Sequence, residues 1–246
     1  MKLNCDLGES FGAWTMGLDQ AVIPHIDMAN IACGFHAGDP DVIANTLSMT
    51  QQCGTQIGAH PSYPDQKGFG RRHMQILPDE LINLLHYQIA ALDGMARIHG
   101  QQLSYVKPHG ALYNLMMADN SCRKTVMQAV SSYHSKLKLM ILATAQADQH
   151  LKEAEQFGIG LLFEAFADRR YDINGHLLDR QKPGAVLNKA QILDQVNQLV
   201  KHNKVTTDCG RHITIMADTL CVHGDNSESI EMVKQIKAIC QTQTPK

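Results

Sequence analysis

The sequence predicts an α/β fold: one domain built on a parallel sheet, closed into a barrel or open, with helices covering it. Three observations carry that expectation. Short apolar runs alternate along the chain with longer segments of helical period. The length, 246 residues, suits a single β/α barrel, which typically takes about 250. No Pro/Gly/Ser-rich linker, low-complexity tract or long internal repeat interrupts the pattern. Residues 1–246 therefore read as one domain, with a polar tail from position 241.

Taken in order, Lys2–Cys5 is the first candidate strand and Asp27–Cys33 the second. Pro40 at a first helical position behind Asp39 opens a helix with Ile43, Leu47 and Thr50 on one face and Gly54 past its end. Gln56–Ala59 is the third strand. Pro78, followed by Asp79 and Glu80 at the positive end of the helix dipole, opens the longest helix. Its Leu81, Leu85, Gln88, Leu92 and Met95 recur every three or four residues until Gly100. Leu103–Lys107, Lys138–Ala143 and Gly160–Glu164 are the next strands. Asn188 caps a helix carrying Ile192, Val196, Leu199 and Val200. Asp218–Val222 is the seventh strand, and Asn226 caps a last helix with Ile230, Val233 and Ile236 inside.

Composition narrows the partners. A formal charge of −2 without long runs of like charge offers no electrostatic footprint for nucleic acid or anionic lipid. The N-terminus is polar by its fourth residue, and no apolar stretch approaches the length of about 18 that suggests a membrane span. A soluble, cytoplasmic protein acting on a small molecule is expected. Seven cysteines without a CxxC pair fit reduced thiols better than a disulfide framework or thiolate zinc site.

Polar residues fall in a pattern. The run NIACGFHAGDP at 30–40 passes from apolar to ionisable within a few residues. Asp6 and Glu9 follow the first strand; Asn30, His36 and Asp39 flank the end of the second; His60 follows the third. Lys107 and His109 close the fourth; Glu164, Asp168, Arg169, Arg170 and Tyr171 surround the end of the sixth; His223 and Asp225 follow the seventh. In a parallel barrel those carboxyl ends share one face, where βα loops build active sites. Asp6, His36, His60, His109, Glu164 and His223 should therefore converge.

Several residues also have simpler readings. Asp39 before Pro40 suits an N-cap, Asp225 suits a turn, and Arg169 with Arg170 suits a solvated pair. Cys33, three residues before His36, invites a thiol nucleophile. Yet Cys5, Cys33 and Cys221 all lie in candidate strands, where a buried thiol is ordinary packing. GFGRR at 68–72, with Arg71 and Arg72, could cradle an anion, but no P-loop motif exists in the chain.

These stretches resemble the LamB/YcsF family: LNCDLGESFG at 3–12, NIACGFHAGDP at 30–40, GAHPSYPD at 58–65, GFGRR at 68–72, YVKPHGALYN at 105–114, EAFADRRY at 164–171 and CVHGD at 221–225. The resemblance implies a seven-stranded TIM-like barrel of the glycoside hydrolase/deacetylase type. It implies ATP-dependent opening of the 5-oxoproline lactam to glutamate, with Mg²⁺ accompanying ATP, in a 5-oxoprolinase complex with the B and C subunits.

Such a reaction needs an activated water, a proton donor for nitrogen, and cations for the substrate carboxylate and phosphate. His109 or His60 is the expected base or acid, with Asp6 orienting one of them. Lys107, Arg169 and Arg180 are candidate anion clamps, and Glu164 and Asp168 could bind the ring N–H or steer the arginines. Asp6, His60 and His109 could instead hold a divalent ion, as in a stand-alone deacetylase or amidohydrolase. A metal-free set, its histidine tautomers fixed by carboxylates, is the expectation, because ATP-driven activation lessens the need for a Lewis acid. A third reading is a non-catalytic assembly component.

Overall fold

The computed structural model describes residues 1–133, 137–224 and 226–242. Its elements, in chain order, are β1 (Lys2–Leu7), α1 (Asp19–Val22) with a 3₁₀ turn Ile23–His25, β2 (Met28–Ala32), α2 (Pro40–Cys53), β3 (Gln56–His60), α3 (Pro78–Ile98) and β4 (Leu103–Val106). There follow α4 (Gly110–Ala118), α5 (Asn120–Tyr133), β5 (Lys138–Leu142), α6 (Ala147–Gln156) and β6 (Leu161–Phe166). The chain then runs through α7 (Lys189–His202), β7 (Lys204–Thr206), β8 (His212–Thr214), β9 (Thr219–Val222) and α8 (Ser227–Gln241).

The sheet is closed. β1 to β6 and β9 form a parallel barrel, with β9 pairing both β6 and β1. These seven strands correspond to the seven read from the sequence. β7 and β8 form a separate antiparallel hairpin in the excursion between β6 and β9. The helix ends follow local chemistry. Asp39 accepts from the Asp41 and Val42 amides to cap α2, and Gly54 ends it in the left-handed region. Asn188 and Gln191 form a reciprocal capping box on α7, and Asn226 accepts from Ser229 N at 2.9 Å on α8.

Two apolar regions hold the architecture. Outside the wall, Leu85, Ile89 and Leu92 of α3 are wholly buried, so truncating any of them to alanine should cost about 2–5 kcal/mol. Inside, Met28, Tyr105 and Met140, with Leu162 against them, plug the amino end of the barrel. Successive strand residues face opposite sides. The next inward positions toward the carboxyl end are thus Asn30, Lys107 and Glu164, joined from β1 and β3 by Asp6 and His60. Gly58 makes room for the Tyr105 ring, since a Cβ there would lie 2.3 Å from Cε2.

Three strands run further than their apolar patterns suggest. Asp6 and His60 lie within β1 and β3 rather than in the loops after them, and β6 continues past Glu164 to Phe166. Asp225 and the end of the polar tail, 243–246, lie outside the described residues.

Candidate active site

The interior of the barrel rises from an apolar plug through neutral amides to ions. Tyr105 donates to Asn30 Oδ1 at 2.7 Å, and Asn30 Nδ2 donates to Asn4 Oδ1 at 2.8 Å and Asp6 Oδ1 at 2.7 Å. Asn4 Nδ2 in turn donates to Thr219 Oγ1 at 3.1 Å. Above this layer Lys107 Nζ lies 2.9 Å from Asp6 Oδ1 and 3.0 Å from Glu164 Oε2. Lys107 and Glu164 are buried.

Charge state follows from these contacts. Burial works against the Lys107 ammonium, but its neighbours outweigh it and raise its pKa well above the ordinary value. Cys221, 3.5 Å away, contributes no charge, because burial raises its thiol well above the ordinary range. Asp6 and Glu164 therefore hold the cation. Burial also opposes the Asp6 carboxylate, yet His60 and Lys107 bring its pKa well below the usual value. Burial dominates at Glu164 and raises its pKa despite Lys107.

Four more groups meet beside Asp6. His60 Nδ1 lies 2.7 Å from the Lys107 carbonyl, and His109 Nε2 lies 2.9 Å from the Phe69 carbonyl. Only an N–H can make either bond, so the tautomers are set by main-chain oxygens, not by carboxylates as the sequence suggested. The inner atoms, His60 Nε2 and His109 Nδ1, are 2.9 Å apart. His60 Nε2 is 3.4 Å from Asp6 Oδ2. Glu9 Oε1 is 3.1 Å from His36 Nε2 and 3.5 Å from His109 Nδ1, and the His36 ring stacks on His109 at 3.8 Å. Burial, reinforced by the neighbouring imidazoles, lowers the pKa of His36 and His109 well below the usual value and keeps both neutral. Burial also raises the Glu9 carboxyl.

The 62–72 loop clamps His109. Asp65 accepts from Gly68 N at 3.0 Å and pairs with Arg72, and its pKa falls to about 2 through the Arg72 hydrogen bonds. Phe69, at φ 53°, takes the left-handed conformation that presents its carbonyl to His109. Gly70 lets the loop touch the site: a Cβ there would meet His109 Cδ2 and Ser62 Oγ at 2.9 Å. Gly110 is packed as closely, with Gly70 O 2.5 Å from where its Cβ would stand.

On the far side of Asp6, His223 Nδ1 lies 3.1 Å from Asp168 Oδ2. Burial opposes the imidazolium, but Asp168 outweighs it and raises the His223 pKa; Asp168, against its own burial, is lowered by the same pair. The structure thus brings together Asp6, Glu9, Asn30, His36, His60, Lys107, His109, Glu164, Asp168 and His223. The arginines divide. Arg169 is buried, donates Nη2 to the Leu178 carbonyl and leaves Nε without a partner among the described residues. Exposed Arg180 is near enough for its charge to act on Asp168, Arg169 and His223. Exposed Arg71 lies over the Phe69 ring, its guanidinium 5.2 Å from the centroid.

Other candidates are engaged locally. Arg72 is bound to Asp65, and Asp39 is committed to its cap and to Gly12 N at 2.7 Å. Arg170 reaches the Thr206 carbonyl of β7 at 3.4 Å. The buried Tyr171 hydroxyl accepts from Phe166 N at 2.7 Å. Cys33 is no nucleophile: it donates to the Ile31 carbonyl, and burial raises its pKa to about 12. Sequence reasoning overlooked Asn4, Tyr105 and the buried Tyr113 near Glu164. The first two could have been found from the period of two, since Asn4 precedes Asp6, and Tyr105 precedes Lys107, by two residues on an inward face.

Known proteins bear on this site. A Pseudomonas putida protein, the second of that organism's A subunits of 5-oxoprolinase by its name, is 51% identical over 238 residues, which is 96% of this chain and 92% of that protein. The A subunit of 5-oxoprolinase from Vibrio cholerae is 51% identical over 97% of this chain and 96% of its own. The crystal structure of a lactam utilization protein from Thermus thermophilus superposes with a TM-score of 0.90 at 33% identity, covering 98% of this chain and 96% of that one. Residues 1–245 match the LamB/YcsF family, and with full-length relatives at this identity the chain belongs to it.

Proposed function

We propose that this chain is the A subunit of an ATP-hydrolysing 5-oxoprolinase, opening the lactam of 5-oxo-L-proline to L-glutamate in the cytoplasm with the B and C subunits. The observation that carries the reading is the Asp6–Lys107–Glu164 group beside paired histidines, in a chain about half identical to proteins bearing that name. No described helix is long and apolar enough to cross a membrane.

A lactam is a resonance-stabilised amide with a poor nitrogen leaving group. Transfer of the γ-phosphoryl group of ATP, as its Mg²⁺ complex, to the lactam oxygen would release ADP and leave an electrophilic carbon. Water adds there and gives up a proton, the C–N bond breaks as nitrogen gains one, and a second water hydrolyses the resulting acyl phosphate to glutamate and phosphate. His60 and His109, their outer N–H groups held by the Lys107 and Phe69 carbonyls, are suited to position and activate the attacking water. His223, its protonated form favoured by Asp168, is suited to deliver one to nitrogen. Lys107 balances negative charge developing at the reacting oxygen, and Arg169 and Arg180 supply cations for the substrate carboxylate.

The test is an assay of purified protein on 5-oxoproline with ATP, alone and after addition of the B and C subunits. Turnover only in the reconstituted mixture is expected. Turnover by this chain alone would refute the dependence on the complex. In that mixture His109→Ala should abolish glutamate formation while the variant still folds and assembles; full activity would remove His109 from the chemistry.

A further inference from the structure

We propose that Glu9, His60 and His109 bind a divalent transition-metal ion, with His36 holding Glu9 in place. The inference deepens the function proposed above by assigning an ion to the same site, and its readout is metal content, independent of lactam turnover.

Two ring nitrogens, His60 Nε2 and His109 Nδ1, face each other across the site. His60 commits its Nδ1–H to the Lys107 carbonyl and His109 its Nε2–H to the Phe69 carbonyl. In the neutral form of each ring the other nitrogen carries a bare lone pair, and these two atoms stand 2.9 Å apart. Two acceptors at that separation repel, and a cation seated against both removes the repulsion. Glu9 adds an oxygen 3.5 Å from His109 Nδ1. The donor atoms of Glu9, His36, His60 and His109 all lie within 4.8 Å of one another.

The spacings suit one ion. Ligands about 2.0–2.1 Å from a metal stand about 2.9–3.4 Å apart when their bonds meet at right or tetrahedral angles. The nitrogen pair and the Glu9–His109 pair span 2.9–3.5 Å. Metal-binding histidines usually donate their other ring N–H to a carbonyl or carboxylate, which fixes the tautomer before the ion arrives. Both rings here do so. His36 Nε2–H can donate to Glu9 Oε1 at 3.1 Å and aim the carboxylate. Two imidazoles and one carboxylate favour zinc, cobalt, nickel or manganese over magnesium or calcium, which prefer oxygen ligands. Three protein ligands also leave positions open for water or substrate.

The experiment uses the full chain without a histidine tag, stripped with a chelator and dialysed, then titrated with Zn²⁺ and separately with Co²⁺. One ion per chain should bind, and Co²⁺ should show visible d–d absorption of a site with fewer than six ligands. His60→Ala and His109→Ala should each weaken binding by about 100-fold and Glu9→Gln by about 10-fold. The exposed-site change His202→Gln should leave it unaltered. Absence of stoichiometric binding by the wild-type chain would overturn the proposal whether or not the variants fold, and would leave a shared proton as the cation between the rings. Equal binding by a folded His60→Ala/His109→Ala double variant would place the ion elsewhere and overturn it too.

Discussion

Replacing Lys107 by methionine tests whether the carboxylates of Asp6 and Glu164 depend on one ammonium. Methionine keeps most of the apolar stem and removes the charge that lies 2.9 Å from Asp6 and 3.0 Å from Glu164. Asp6 retains Asn30 Nδ2 at 2.7 Å and is partly open to solvent, so most of the loss falls on the wholly buried Glu164. A carboxylate left unpaired in the interior costs about 3–5 kcal/mol, unless it escapes by taking a proton. Against an unfolded glutamate pKa of about 4.3, protonation at pH 7 spans about 2.7 pH units at about 1.36 kcal/mol each, a ceiling near about 3.7 kcal/mol. At pH 5 the same ceiling is about 1 kcal/mol. In the variant the folded pKa of Glu164 lies above its unfolded value, so the loss grows as pH rises. Urea unfolding, compared at unchanged slope, should show a loss of up to about 3.7 kcal/mol at pH 7 and no more than about 1 kcal/mol at pH 5. Adding Glu164→Gln should recover most of the loss at pH 7. Equal losses at the two pH values, or a double variant as weak as Lys107→Met, would refute the reasoning.

Three further outcomes follow from other parts of the molecule. Arg123 and Glu153 form a buried pair at 2.7 Å between α5 and α6, so Arg123→Met should cost about 3 kcal/mol. The Glu153 pKa is depressed, chiefly by its Arg123 hydrogen bonds; its contribution is therefore present above about pH 4.3 and lost as pH falls. Acid titration of stability should be shallower in the variant, and an unchanged profile would exclude the pair as its source. Asp65→Asn should free the loop that presents the Phe69 carbonyl to His109, lowering kcat of the reconstituted enzyme by about tenfold. The Asp65 part of wild-type stability, held by a pKa of about 2, should disappear as pH falls from about 4 toward that value; equal kcat in the variant would argue against the loop's role. Gly58→Ala drives a methyl into the Tyr105 ring and should destabilise by about 3 kcal/mol. A smaller ring partner, in Gly58→Ala/Tyr105→Leu, should cost less than the sum of its single changes, which thermal unfolding would measure.

The strands were legible because their outward faces, Ser104 of β4 apart, are apolar, whatever the inward faces carry. Their ends were not. The apolar runs of β1 and β3 stop before Asp6 and His60, and the pattern of β6 ends at Glu164 while the strand continues to Phe166; an ionisable residue usually marks the exit from a strand, and here it marks the polar end of a barrel interior. α2, α3, α7 and α8 announced themselves through caps and a stripe of apolar residues. α4 is nearly all apolar and has no stripe to detect, burying Leu112, Tyr113, Met116 and Met117. α6 buries His150 and Glu153 beside Ala154, which disguises its inner face. At the site, the convergence of six loops and strand ends could be read from residue order. The contribution of the Phe69 and Lys107 carbonyls could not, since main-chain atoms leave no mark in residue identity. Nor could sequence tell that Arg72 and Asp39 are spent on a loop clamp and a helix cap.

The site's rigidity has a source that runs down the barrel. Donors pass in one direction, from Tyr105 to Asn30 and from Asn30 to Asp6, so the orientation of the Asn30 amide is fixed by a hydroxyl below and a carboxylate above. Lys107 then acts twice. Its ammonium joins Asp6 to Glu164, while its carbonyl fixes the ring of His60 at 2.7 Å. Any shift of the end of β4 would move a cation and an imidazole together, at the expense of buried ionic contacts. The His109 ring itself is held between the stacked His36 ring, 3.8 Å away, and the Phe69 ring, edge-on at 5.1 Å. In the proposed reaction the charged interior is thus preorganised and does not reorganise as charge develops. In that reaction adjustment to the substrate would fall to groups outside this network, such as the exposed Arg71 and Arg180.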